Sequence, residues 1–231
     1  MKSIYLFLFF YTISIKADWE VFDNSKIDNT NKLEYLNSFL LLDYTNNIWI
    51  LANNSDVLVK YNKNSTEFFD TNNTKLPFMK ISCAAQGPNG DMYFGTYEDA
   101  TFEPKEKQTC LIRFDGENWE YFNQHNSPMY PYTIWDILVT GEDDFWVATV
   151  IGLYHYKEGV WDSLFVDENV FKRDIKSLST DKEGNVYFTN GMRELYSANT
   201  KSGNIKYKKD NSFYTDEVFV LYNHIDSLNN L

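Results

Sequence analysis

The side chains that could do chemistry are sparse in this sequence. Its histidines are His125 in a loop, His155 in a strand and His224 near the C-terminal end, and none has a second His or a Cys at metal-ligand spacing. Neither a Gly-x-Ser-x-Gly motif nor a phosphate-binding glycine loop is present. We interpret His155 as an outward-facing or hydrogen-bonded strand residue. These patterns predict no catalytic residue, no metal and no cofactor.

An acidic group, Glu142, Asp143 and Asp144, is the candidate for a cation site. It lies in a predicted hairpin turn, and similar turns rich in Asp, Asn and Gly recur along the chain. These residues favour turns because they accept positive φ or hydrogen-bond their own backbone. The alternation of oxygen ligands that an EF-hand requires is missing. We therefore interpret the group as part of a turn, with a calcium site as the less favoured alternative.

Ligand binding is predicted at loops that carry aromatic rings together with carboxylates. The longest loop runs from Gly95 to Thr109, and long loops in compact domains are often functional. Aromatic rings stack on the apolar faces of carbohydrates or peptides, and carboxylates accept hydrogen bonds from their hydroxyls or amines. The candidate residues in this loop are Tyr97, Glu98, Asp99 and Phe102.

A second segment, HNSPMYPY, is predicted to reach the same end of the fold and leads into Trp135. It adds Tyr130 and Tyr132, and we call these three residues, together with the four in the long loop, the candidate rim. The expected partner is a small ligand, a glycan or a protein. The alternative is that the long loop has no binding role and that the aromatic residues pack between neighbouring sheets.

Asp136 and Lys176 support the competing hypothesis of an extracellular enzyme, such as a polysaccharide lyase or a glycosidase. They are charged exceptions on strands whose residues are mostly small or apolar. A base–acid pair would need both groups in a central channel, about 4–6 Å apart. Because the neighbouring first strands offer so few such groups, a binding or sensing module is favoured over an enzyme.

Short strands must position these residues. Tyr, Phe and Trp make up 18% of the chain, in runs separated by polar turns, which favours strands over helices. Alignment on the bulky residue after each turn gives four copies, marked by Trp49, Tyr93, Trp146 and Tyr187 at spacings of 44, 53 and 41 residues. A repeat of about 40–50 residues with four strands is typical of a β-propeller, whose neighbouring sheets cover each other. The bulky residues are therefore expected in the core between sheets.

The predicted fold class is all-β, a β-propeller of four-stranded antiparallel blades. Asp226–Leu231 overlays Asp43–Ile48, the start of a copy, so we interpret the sequence as a fragment with an unfinished fifth blade. A natural end, in which that strand pairs as it stands, is the alternative. The segment DWEVFDNSKI matches the fourth strand of a copy and is predicted to close the ring. The predicted ranges are a closing strand at 18–27, blades at 36–70, 78–122, 132–165 and 173–209, and an incomplete blade at 216–231.

Residues 1–17 are predicted to be a secretory signal peptide. Lys2 precedes an apolar run that is short for a membrane span, and Ala17 is a small residue at the expected cleavage site. An uncleaved anchor is the alternative. The net charge of −12 becomes −14 once Lys2 and Lys16 are removed, which argues against nucleic acid or an anionic membrane as partner. We expect a secreted, cell-surface or periplasmic protein, not inserted in a membrane after cleavage.

The two cysteines, Cys83 and Cys110, are predicted not to form a disulfide. They fall on the first and third strands of one predicted sheet, so their Cα atoms should lie about 9–10 Å apart. A disulfide requires less than about 7 Å. Both are therefore expected to be free, buried thiols that act as small core residues.

The sequence LIRFDGENWEYFN at Leu111–Asn123, followed by IWDIL at Ile134–Leu138, resembles the two-component-regulator-type propeller repeats of secreted or periplasmic proteins in Bacteroidetes-like bacteria. The Gly-Thr of the family pattern is kept at Gly95–Thr96. The resemblance covers about residues 18–231 and implies a β-propeller. In relatives such repeats form sensor regions of hybrid histidine kinases or parts of exported surface proteins. Membership of such a family does not fix a function, because propellers have many.

Overall fold

The computed structural model of the chain describes residues 36–52, 57–62, 64–76, 80–97, 111–130, 132–164, 174–192, 194–199 and 206–209. The predicted signal peptide, closing strand and incomplete blade lie outside these residues. The described part consists of strands and their turns, with one helical turn, α1, at Thr71–Thr74.

Four sheets of four antiparallel strands follow one another along the chain, which confirms the predicted all-β class. Within each sheet the strands pair in sequence order. We number the sheets 1 to 4, so that sheet 1 holds β1–β4 and sheet 4 holds β13–β16. The strands are β1 (Leu36–Leu42), β2 (Ile48–Ala52), β3 (Val57–Asn62), β4 (Ser65–Phe69), β5 (Ile81–Gln86), β6 (Met92–Thr96), β7 (Leu111–Phe114), β8 (Trp119–Phe122), β9 (Ile134–Gly141), β10 (Asp144–Thr149), β11 (Gly152–Lys157), β12 (Val160–Leu164), β13 (Ile175–Thr180), β14 (Val186–Asn190), β15 (Leu195–Asn199) and β16 (Lys206–Lys209).

Each sheet packs against the next, and bulky residues of the second strands fill the joints. Trp49 lies between sheets 1 and 2, with its ring centroid 5.3 Å from that of Phe94. Tyr93 fills the joint between sheets 2 and 3, with its ring 5.1 Å from Phe145. Trp146 lies in the core between sheets 3 and 4. The prediction that Trp49 and Trp146 are core residues is confirmed, because both are buried.

The first turn of a sheet is held by an aspartate that also binds the following strand. Asp43 accepts the backbone N–H of Asn47 at 2.8 Å and the indole N–H of Trp49 at 2.9 Å. Burial alone would raise the pKa of Asp43, but the combined hydrogen bonds hold it below its ordinary value. Asp181 accepts the hydroxyl of Tyr187 at 3.2 Å in the same position of sheet 4. These carboxylates therefore stabilise the repeat.

The first strand of every sheet carries a β-bulge at its second residue. The register of pairing shifts there by one residue, so that Asn37, Ser82, Trp135 and Lys176 have no direct partner on the second strand. The first strands also contact one another, since the Ser82 hydroxyl donates to the Ile134 carbonyl at 2.7 Å. Bulges re-aim side chains and are common beside functional sites. Here they recur where the first strands begin.

Gly95 and Thr96 belong to β6, so the prediction that the long loop begins at Gly95 is wrong by two residues. The reason is a close approach of three strands. A Cβ at Gly95 would lie 2.6 Å from both the Cys83 sulfur and a methyl carbon of Ile134. Because glycine has no Cβ, β5 and β9 can both pack against β6 at this point.

Cys83 lies on β5, the first strand of sheet 2, and is a free thiol as predicted. It is half-buried by surface area, whereas the prediction was full burial. Burial around the sulfur nevertheless raises the pKa of the thiol to about 12, so the group is protonated and unreactive at neutral pH. Cys110 lies outside the described residues.

A turn that was not predicted follows the outer strands of sheets 1 and 2. Asn126 donates from Nδ2 to the Tyr121 carbonyl at 2.9 Å and accepts the Asn123 backbone N–H at 2.8 Å. Asn73 makes the same two bonds at the end of β4, at 2.6 and 3.0 Å. At the end of each of these two outer strands, one side-chain amide thus binds a backbone carbonyl and a backbone N–H. The turn then buries Met129 and directs the chain towards the next sheet.

Candidate ligand-binding rim

The structure describes four residues of the candidate rim and places them at one end of sheets 2 and 3. Gly95 lies against Ile134. Tyr97 follows Gly95 by two residues, and Tyr132 precedes Ile134 by two, so both lie at the end where β6 finishes and β9 begins. The backbone N–H of Tyr97 donates to the Lys80 carbonyl at 2.8 Å. The rim residues Glu98, Asp99 and Phe102 lie outside the described part of the chain.

Trp135 is held in one orientation while much of its ring stays exposed. Its side chain occupies the bulge of β9 and is 41% exposed. The indole Nε1 donates to Asp174 Oδ1 at 2.7 Å. The Lys176 ammonium lies 3.6 Å from the ring centroid and forms an ion pair with Asp174 Oδ2 at 2.8 Å. The ammonium covers one face of the indole, and the hydrogen bond to Asp174 holds its Nε1 edge.

Two further aromatics of the candidate rim precede β9 in the chain. Tyr130 and Tyr132 are 56% and 39% exposed. The Tyr132 N–H donates to the Tyr130 carbonyl at 2.7 Å, which gives the segment a tight bend. The buried Met129 anchors the bend from below. Tyr130, Tyr132 and Trp135 are thus three exposed aromatic residues within one short segment.

Asp136 follows Trp135 directly and is half-buried. Its carboxylate accepts the backbone N–H of Leu178 at 2.8 Å and that of Ile137 at 2.9 Å. Burial raises the pKa of Asp136 to about 6, against the opposing effect of these two hydrogen bonds. Lys176, the cation considered with Asp136 in the enzyme hypothesis, forms its ion pair with Asp174.

The acidic hairpin at 142–144 lies at the other end of sheet 3 from Trp135. Asp144 contacts His155 Nε2 at 2.9 Å and accepts from Lys157 at 2.7 Å, and the imidazole stacks on Trp146 at 4.1 Å. His155 is thus a hydrogen-bonded strand residue, as predicted. Burial opposes the ionisation of Asp144, but its hydrogen bonds lower its pKa overall. Within the described ranges, no group of three or more His, Cys, Asp or Glu could hold a metal ion.

A shallow groove of about 400 Å³ lies beside β8, on the outer edge of sheet 2. Asn126 lines it, but both ends of this amide already bind the backbone. Glu120, His125 and Tyr121 supply the remaining polar and aromatic surface. The sequence did not predict this groove. The contacts of its lining residues do not indicate a ligand class.

The residue most clearly missed by the prediction is Asp174, which orients Trp135 from the neighbouring sheet. It lies immediately before Ile175, the first residue of β13. A signal was available, because Asp174 and Lys176 flank the start of a copy in the same way that Thr133 and Trp135 flank Ile134. Placing the copies on a ring would have brought these starting residues together.

Comparison with known proteins identifies the fold. No family model and no curated protein matches the sequence. The extracellular domain of a hybrid two-component system from B. thetaiotaomicron matches with a TM-score of 0.59 and 18% identity, over 84% of this chain and 25% of that chain. Virginiamycin B lyase from Staphylococcus aureus matches with a TM-score of 0.54 and 12% identity, over 78% of this chain and 57% of that chain.

A WD40 β-propeller domain is also similar, with a TM-score of 0.50 and 8% identity over 71% of this chain and 50% of that chain. The chain spans less than two thirds of each of these structures. At such identities the likeness concerns the fold alone, and it confirms the β-propeller architecture. In the part of the chain that is described, no helix is long and apolar enough to span a bilayer.

Proposed function

We propose that this chain is a binding or sensing module of an exported β-propeller protein, and that it captures its ligand on the candidate rim. The observation that carries the proposal is Trp135, whose indole is exposed yet fixed by Asp174 and Lys176. A ring held in its binding orientation loses little conformational entropy when a ligand stacks on it. The exposed Tyr130 and Tyr132, a few residues earlier in the chain, are proposed as further contacts for the ligand.

The ligand class that fits is a carbohydrate or a peptide. Both combine apolar faces, which stack on aromatic rings, with polar groups for the carboxylates of the long loop. Export is supported by the N-terminal sequence and by the extracellular location of a structural relative. The net charge of −12 makes nucleic acid an unsuitable partner.

The test is a glycan and peptide array probed with the full chain and with two single variants. Trp135→Ala should lower capture at least about tenfold, the size expected when a central aromatic anchor is removed. Tyr44→Ala is the matched control, since Tyr44 is 70% exposed but belongs to the β1–β2 turn at the opposite end. Equal loss in both variants, or none in Trp135→Ala, would overturn the proposal.

A propeller enzyme is the second candidate, and the half-buried carboxylate of Asp136 favours it. A carboxyl group with a pKa of about 6 can both donate and accept a proton near neutral pH. New reducing ends or unsaturated sugars produced from a polysaccharide by the wild type, but not by Asp136→Asn, would support this candidate. Capture of an intact ligand would favour the binding module.

A further inference from the structure

Asp136 is an exception within the repeat. The residue after the bulge is Ser38 in β1, Cys83 in β5 and Ser177 in β13, whereas β9 has Asp136. Three of the four sheets therefore form with a small uncharged residue at this position. Folding of a sheet does not require a carboxylate there, and burying one carries a cost.

The Asp136 carboxylate joins β9, which carries Trp135, to β13, which carries Lys176. Asp136 lies on β9 next to Trp135, and its Oδ2 accepts the N–H of Leu178 on β13 at 2.8 Å. Lys176, which covers the Trp135 ring, precedes Leu178 by two residues on the same strand. The Asp136–Leu178 bond therefore connects the two strand segments that carry Trp135 and Lys176.

Among the groups that surround Asp136, the Asp136 carboxyl itself is the one expected to change its charge near neutral pH. On β5 the facing titratable group is the Cys83 thiol, which stays protonated because its pKa is raised to about 12. On the β13 side the charged groups are Lys176 and Asp174, which pair with each other at 2.8 Å. Burial raises the pKa of Asp136 to about 6, whereas its two backbone hydrogen bonds lower it.

We propose that Asp136 is a proton-sensitive latch between β9 and β13, through which mildly acidic solution weakens ligand capture at Trp135. The inference rests on the proposed function of the rim. When Asp136 takes one proton from solvent, the carboxylate becomes a neutral acid and its charge-assisted bond to Leu178 becomes an ordinary hydrogen bond. Lys176 and Asp174 are then held less firmly against the indole.

The latch can be tested without a ligand, by following the Trp135 indole N–H in proton–nitrogen NMR spectra of the full chain. Trp135→Phe identifies the resonance. In the wild type this resonance should shift with a midpoint near pH 6, the pKa to which burial raises the Asp136 carboxyl. The shift should vanish in Asp136→Asn, and also in Asp136→Ser, which installs the residue that sheets 1 and 4 use. In the control variant Asp162→Asn, on β12 of the same sheet, the Trp135 resonance should shift with pH as it does in the wild type.

A Trp135 resonance that does not move near pH 6, or that moves equally in Asp136→Asn, overturns the latch. Capture of the best array ligand gives the second arm. Weaker capture in mild acid by the wild type but not by Asp136→Ser supports the inference. If the resonance titrates as expected but Trp135→Ala captures as the wild type does, the proposed function fails. If Trp135→Ala abolishes capture but the resonance is static, only the latch fails.

Discussion

The carboxylate of Asp136 accepts the backbone N–H of Leu178 at 2.8 Å, across the joint between sheets 3 and 4. This bond lies beside the place where Lys176 of one sheet covers Trp135 of the other. Both contacts involve strands that begin with a β-bulge. Every first strand has this bulge, and in sheet 3 the bulge residue is Trp135 and the next residue is Asp136.

Asp136→Asn is predicted to stabilise the fold at neutral pH. The folded state raises the pKa of Asp136 from 3.8 to about 6, so it binds the proton more tightly than the unfolded chain does. The resulting stability is complete below the unfolded pKa and is lost as the pH rises through about 6. A shift of this size corresponds to on the order of 3 kcal/mol.

Urea unfolding at about pH 5 and about pH 8 measures this effect. The variant should gain about twice as much free energy of unfolding over the wild type at the higher pH as at the lower, because at about pH 5 only part of the stability has been lost. Asp162→Asn, on β12, serves as the control. A difference between variant and wild type that is the same at both pH values would contradict the assignment of the shift to Asp136.

Lys176→Gln is predicted to loosen Trp135 without unfolding the chain. The variant removes an ammonium 3.6 Å from the ring centroid, a contact worth about 0.5–2 kcal/mol. Acrylamide should then quench the Trp135 fluorescence more strongly, after subtraction of the signal from Trp135→Phe. Lys182→Gln, in the exposed β13–β14 turn, should quench as the wild type does. Unchanged quenching in Lys176→Gln would show that the cation does not position the ring.

Gly95→Ala is predicted to destabilise the fold by about 1–3 kcal/mol, the usual cost of overpacking a core. The new Cβ would meet the Cys83 sulfur and Ile134 at 2.6 Å. Cys83→Ala removes the sulfur, so the double variant should lose less stability than the two single variants together. Chemical denaturation of all four chains completes this cycle. Strict additivity would refute the close approach of Cys83 and Gly95.

Asn73→Ala and Asn126→Ala are predicted to cost about 1–3 kcal/mol each, because each variant loses two hydrogen bonds and one such bond contributes about 0.5–1.5 kcal/mol. Each asparagine binds two backbone groups at the edge of an outer strand. The losses should be similar because the two turns are equivalent. Thermal unfolding of each variant measures the loss as a lower melting temperature. Asn64→Ala, at an exposed turn position, is the control and should melt almost as the wild type does. Loss in only one of the two variants would show that the turns are not a shared structural unit.

The fold was predictable because its signals are local. Trp49 and Trp146 follow polar turns at the repeat spacing, and burial on a second strand is what that pattern requires. The turn built on Asn73 and Asn126 was equally local and could have been found. Both asparagines lie three residues after an Asp or Asn and directly before a Thr or Ser.

The details of the rim were only partly predictable. Exposed aromatics at Tyr130 and Tyr132 follow from their position before a first strand, whereas Trp135 lies within that strand, at its bulge. The partners of Trp135 do not follow from the sequence, because Asp174 and Lys176 lie about forty residues further along the chain and meet it only when two sheets adjoin. A register shift at a bulge is a property of backbone pairing, and side-chain periodicity does not report it.

We propose that the ligand contacts Trp135, and an affinity measurement tests this contact most directly. The array ligand captured most strongly is titrated at neutral pH into the wild type, Trp135→Ala and Tyr44→Ala, and heat or fluorescence anisotropy gives each Kd. We predict a Kd at least about tenfold higher for Trp135→Ala, with Tyr44→Ala equal to the wild type. A folded Trp135→Ala chain that binds with the wild-type Kd would contradict the claim.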